Sequence, residues 1–101
     1  MKPAPLHFNL TDSGQGHFLL EGELTFATAV VALKKVSRLF RKAQDLSLDL
    51  AGITRTDSAG IGLLLEWIRC SRNKGATLRY VHLPEHLLAM ARVNGVEDLL
   101  I

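Results

Sequence analysis

Apolar positions along the chain switch between two spacings, and the switches mark out its elements. Residues 5–11 ("PLHFNLT") and 17–21 ("HFLLE") predict two short strands joined through "DSGQG" as a hairpin. "LTFATAVVALKKVSRLFRKA" (24–43) then carries apolar residues at helical spacing, with Thr25 or Thr28 as candidate caps. "LSLDLAG" alternates like a strand through Leu46, Leu48 and Leu50. The polar turn "RTDS" leads into a second helix that Gly75 closes after Lys74. "TLRYVHL" predicts a strand ending at Pro84, and "PEHLLAMARVNG" a third helix with proline in its first turn and Asn94-Gly95 at its exit. "VEDLLI" closes the chain as a short strand or a helical turn. The order is β-β-α-β-α-β-α. Strands separated by helices of this length imply parallel crossovers. The expectation is one α/β domain over residues 1–101, a mixed sheet with a parallel core flanked by helices.

The second helix raises a question. Gly60 and Gly62 sit in its first two turns, where each costs about 1 kcal/mol relative to alanine. Asp57 and Ser58 before them are strong N-cap residues. Projection from Ile61 gathers Ile61, Leu64, Leu65 and Ile68 on one face, the expected core side. Leu63, Trp67 and Cys70 then fall opposite, with Gly60 beside them. A helix covering a sheet should be polar there, so this second stripe, with the only tryptophan, is expected to meet either a protein partner or a neighbouring helix of its own fold. Missing Cβ atoms at Gly60 and Gly62 would let another backbone come close. Ser58, at a helix N-terminus, is either a cap or a position where a phosphate would be well received.

Composition narrows the class. With 48% apolar and 22% charged residues in 101, the chain has enough for one packed core. No stretch approaches the ~18 apolar residues of a membrane span. The N-terminal residues lack a secretory pattern, and the single Cys70 cannot form an internal disulfide, so a cytoplasmic location is expected. The formal charge is only +2, but "KKVSRLFRK" concentrates Lys34, Lys35, Arg38, Arg41 and Lys42 opposite Phe26, Val30, Leu33, Ser37 and Phe40. That face suits solvent, an acidic partner or anionic lipid. Nucleic acid is not expected, because no aromatic residues are interleaved for stacking.

Catalytic chemistry is missing from the pattern. His7, His17, His82 and His86 have no metal-ligand spacing around Cys70. There is no G-x-x-x-x-G-K-[ST] phosphate loop, no G-x-S-x-G elbow and no carboxylate pair that stands out as an acid/base couple. The expectation is a non-enzymatic protein without cofactor or metal, whose function lies in a surface.

"TDSAGIGLLLEW" resembles the D-S-[SA]-G-[LI] turn of STAS domains, the family of the anti-sigma factor antagonists. "EGELTFATA" (21–29), "LSLDLAGITRTDSAG" (46–60) and "KGATLRYVHLP" (74–84) resemble that family's second strand and helix entry, third strand and loop, and fourth strand. Within it, the "LLLEW" run and the "ARVNGV" exit of the third helix are most similar to the MlaB-like branch. That resemblance implies a cytoplasmic subunit, peripheral to the inner membrane through its partner, bound to the ATPase of an ABC complex with its permease. Such a complex transports phospholipids for outer-membrane lipid asymmetry. The implied partner-binding residues are Asp57, Ser58, Ala59, Gly60, Gly62, Leu63 and Trp67. The alternative implied by the wider family is an anti-sigma factor antagonist, with an anti-sigma factor kinase as partner and Ser58 as the phosphorylation site.

Overall fold

A left-handed turn starts the fold. In the computed structural model, which describes residues 7–41 and 44–101, β1 (Phe8–Gly14) and β2 (His17–Leu24) pair antiparallel. The turn joining them holds Gly14, Gln15 and Gly16 at φ of 90°, 57° and 80°. Glycine adopts such angles without a Cβ clash, so the two glycines carry most of this turn. Pro5 and Leu6 of the expected first strand, and Lys42 of the expected basic face, lie outside the described residues.

The chain continues through α1 (Ala29–Ser37), a 3-10 turn (Arg38–Arg41), β3 (Asp45–Thr56), α2 (Ser58–Asn73), β4 (Thr77–Val81), α3 (Glu85–Val93) and α4 (Glu97–Leu100). "VEDLLI" is thus the helical turn, not a strand. The sheet runs β1-β2-β3-β4, with β3 parallel to both β2 and β4. Both crossovers step the same way along the sheet, and right-handed connections then place α1 and α2 on one face. α2 is the middle helix, in contact with α1 on one side and α3 on the other. Leu20, Leu24, Leu48 and Leu50 of the sheet meet Ala32, Val36, Phe40, Leu64, Trp67 and Leu87 in one core.

That central position overturns the expected faces of α2. Trp67 is 0% exposed, Leu63 is buried and Cys70 half-buried, so the supposed outward stripe belongs to the core. Ile61 and Leu64 are buried as expected, while Leu65 and Ile68 are only half-buried. At 3.6 residues per turn, the inward face is rotated by about 80° from the projected one. The physical reason is that a helix wedged between two others hides its flanks as well as its base.

α1 departs from expectation in the opposite sense. Phe26 and Val30, expected inside, are 73% and 65% exposed. Ala32, Val36 and Phe40 are buried, and Leu33 and Ser37 half-buried. The helix begins at Ala29, so Phe26 sits in the preceding turn instead of on a helical face. The run "AVVAL" is apolar on all sides, which leaves its orientation open to a projection.

Tyr80 ties β4 to α2. Its hydroxyl donates to the Leu64 carbonyl at 2.6 Å, and burial pushes its pKa well above the ordinary tyrosine value. The neutral phenol is the form the fold stabilises. Its contribution is complete below the unfolded value of about 10 and is lost as pH rises above that. In alkaline denaturant titrations, Tyr80→Phe should therefore lose stability less steeply above pH 10 than the wild type. At neutral pH it should be weaker by about 1 kcal/mol, the net worth of one hydrogen bond.

Candidate protein-docking site

Leu24 and Thr56, the last residues of β2 and β3, are register partners in neighbouring parallel strands. The turn into α1 and the start of α2 therefore leave the sheet side by side. Asp57 joins them. Its backbone is extended (φ −138°, ψ −168°), as an N-cap requires, and its Oδ1 accepts from the Ala59 amide at 2.9 Å. Oδ2 reaches across to accept from the Phe26 amide at 3.1 Å. The Asp57 amide in turn donates to the Leu24 carbonyl at 3.3 Å. One short side chain thus caps α2 and fixes the loop before α1.

Thr28 shapes that loop from the other end. It is the N-cap position of α1, yet its side chain makes no helix cap. Its hydroxyl accepts from the Thr25 amide at 3.1 Å and donates to the Glu23 carbonyl at 2.8 Å. The tight turn this enforces pushes Phe26 to the tip, where its ring faces solvent. Of the two caps expected from sequence, neither Thr25 nor Thr28 caps by side chain, and choosing Thr28 as the boundary would have been the signal that Phe26 lies outside the helix.

The two glycines have unlike reasons. A Cβ on Gly60 would stand 2.8 Å from the Leu24 carbonyl oxygen and 3.4 Å from the Leu24 Cβ. Gly60 is buried, and its missing side chain lets α2 start directly against the end of β2. It is not available to a partner, which corrects the expectation. Gly62 is exposed, and a Cβ there would meet nothing within 4 Å. No internal packing explains it.

Of the seven residues expected at a partner surface, Ser58 and Gly62 are exposed, and Asp57 and Ala59 half-buried. Gly60, Leu63 and Trp67 are inside. Ser58 is the first residue of α2 but not its cap, and its hydroxyl takes no part in the side-chain hydrogen bonds found among the described residues. What the sequence missed is the other half of the surface, Phe26, Val30 and Val31, the last of these 49% exposed. The candidate site therefore combines apolar side chains at the α1 entry, joined through Asp57 to the start of α2, with the exposed Ser58 and Gly62 of that helix.

The Cys70 thiol is pushed up by burial, then by its hydrogen bond to Glu66, which makes it a poor nucleophile at neutral pH. Glu66 is itself held low by its exposed hydrogen-bonded pairing with Arg69. His82 lies away from His86's helix and contacts Asp49, with Nδ1 3.0 Å from Oδ1. Among the described residues, no three His, Cys, Asp or Glu side chains gather as a metal site, and no helix is long and apolar enough to cross a membrane.

A four-stranded mixed sheet with its helices on one side, and a D-S-A-G turn leading into the middle helix under the Asp57 cap, define a small α/β module. Residues 10–101 match the family described as "Mlab, STAS domain", and the chain belongs to that family. It is 25% identical over 81 residues to the anti-sigma-B factor antagonist of Bacillus subtilis (strain 168), spanning 80% of this chain and 74% of the relative. The fold is shared with the anti-sigma factor antagonist SpoIIAA in its unphosphorylated form, with TM-score 0.70 and 15% identity over 94% of this chain and 86% of the other. Part of the murine anion transporter Slc26a9 is also similar, with TM-score 0.59 and 19% identity, covering 82% of this chain and 14% of the transporter.

Proposed function

We propose that this chain is a non-enzymatic STAS subunit that docks on, and supports, the ATPase of an ABC complex transporting phospholipids for outer-membrane lipid asymmetry. The observation that carries the reading is the match of residues 10–101 to the Mlab branch, joined to a surface fit for permanent contact. Phe26, Val30 and Val31 stand in solvent at the entry to α1, and Gly62 offers bare helix backbone on the exposed side of α2. Covering one large apolar side chain returns about 1.5–3 kcal/mol, and exposed aromatic anchors dominate most interfaces. Asp57 holds both helix starts in place before the partner arrives, which spares the cost of ordering them on binding. In this reading the chain acts in the cytoplasm and reaches the inner membrane through its partner.

A second reading rests on Ser58. Its hydroxyl is exposed and free of capping, and a relative is an anti-sigma factor antagonist. A phosphate there would sit at the N-terminus of a sixteen-residue helix, where about two negative charges are favoured. In that case the partner is an anti-sigma factor kinase, and release follows modification.

Co-purification separates the two. A tagged chain should retain the ATPase with its permease, while Phe26→Asp and Ser58→Asp should each weaken retention by at least about tenfold, the loss of one modest hot spot. Retention unchanged in both variants would remove the proposed surface. Stoichiometric phosphate on Ser58 by mass spectrometry, with no ATPase retained, would favour the switch.

A further inference from the structure

The outer face of α1 changes character halfway along. Val30 and Val31 are exposed in its first turn, and Phe26 stands just before it. Four residues on, Lys34 and then Arg38 continue the line of Val30, and Lys35 continues that of Val31. Residues 29–41 hold four cations and no carboxylate. The whole chain totals only +2, so everything outside this segment sums to −2. The four ion pairs among the described residues, Arg55–Glu23, Arg69–Glu66, His82–Asp49 and Arg92–Glu97, involve none of the four. The helix dipole accounts for a cation or two in the last turn of α1. It does not account for Arg38 and Arg41, which lie beyond the helix in the 3-10 turn, or for the uncovered valines.

We infer that the partner segment covering α1 is amphipathic and acidic: apolar opposite Phe26, Val30 and Val31, and carrying carboxylates opposite Lys34, Lys35 and Arg38. This rests on the docking reading above and names the chemistry of the ATPase surface that meets it. The cations steer the encounter, and the apolar tip holds the complex once formed. An anionic membrane is the poorer occupant. The apolar face that α1 would have to insert, Ala32 and Val36, already lies in the domain core. At the Phe26 end, the surface also meets the carboxylate of Asp57, which anionic headgroups would repel.

The test measures association and dissociation rates of the purified chain on the detergent-solubilised ATPase–permease complex at low and high sodium chloride. Lys34→Glu/Lys35→Glu/Arg38→Glu should slow association at low salt by at least about tenfold and flatten its salt dependence. The same three positions as glutamine should show an intermediate effect, and unchanged circular dichroism melts should show that both variants fold. Phe26→Asp should instead speed dissociation and keep the salt dependence. Association of the triple-glutamate variant at the wild-type rate, with Phe26→Asp still losing the complex, would overturn the acidic-partner inference and leave docking intact. Wild-type chain that fails to bind the complex at all would overturn both. Flotation of the chain alone with phosphatidylglycerol vesicles, abolished in the triple-glutamate variant, would assign the cations to lipid and also overturn it.

Discussion

Trp67→Ala is expected to remove about 3–5 kcal/mol of stability, the range for emptying a large aromatic site in a packed interior. Domains of this size hold only ~5–15 kcal/mol in total, so the variant should melt on the order of 20 °C lower or fail to fold. Trp67→Phe should behave very differently. The indole Nε1 is buried with no hydrogen-bond partner among the described residues, and an orphaned buried donor costs about 1–3 kcal/mol. Phenylalanine removes that donor while keeping most of the ring volume, so the net change should stay within about 1.5 kcal/mol. Urea titration followed by circular dichroism measures both. Because Trp67 is the only tryptophan, its fluorescence adds an independent check. Acrylamide should hardly quench the native protein, and docking of a partner should leave the emission where it was. Strong quenching in the folded state would mean that the indole faces solvent after all.

The second large effect separates the glycines. Gly60→Ala places a methyl 2.8 Å from the Leu24 carbonyl, where neither backbone nor strand end can easily give way. The expected loss is about 1–3 kcal/mol, as for other overpacked sites. Gly62→Ala meets open space and improves helix propensity, so it should gain about 1 kcal/mol. Two identical changes two residues apart should therefore move the urea midpoint in opposite directions. If the proposed partner packs on the bare backbone at Gly62, the same Gly62→Ala protein should hold it less firmly, because the methyl would keep the two surfaces apart. A variant that is more stable yet binds as well as wild type would remove Gly62 from the interface.

The element order was readable because strand and helix periods differ and because turn residues such as Asn94-Gly95 mark the boundaries. A cap at Asp57 or Ser58 and the D-S-A-G turn were equally legible, since capping is a local property of a few residues, but only the structure assigns the cap to Asp57. Orientation was not legible. α2 is apolar on two sides because it lies between α1 and α3, and nothing within its own sixteen residues tells a neighbour in the same fold from a separate protein. Of the two covers the projection allows for Trp67, the neighbouring helices of its own fold are the ones that bury it. For α1 the same ambiguity ran the other way: "AVVAL" fits either orientation, and Phe26 follows the helical spacing although the helix has not yet begun there. The reach of β3 to Thr56, four residues past the alternating "LSLDLAG", was also hidden. Its last turn-facing residues are polar, and their strand state comes from pairing with β2, a long-range cause.

Asp57 gives one oxygen to its own helix at Ala59 and the other to Phe26, thirty-one residues before it in sequence. The backbone at the tip of one segment and the start of the other are consequently held together by one side chain. Replacing that carboxylate would release the turn before α1 and uncap α2 in a single change.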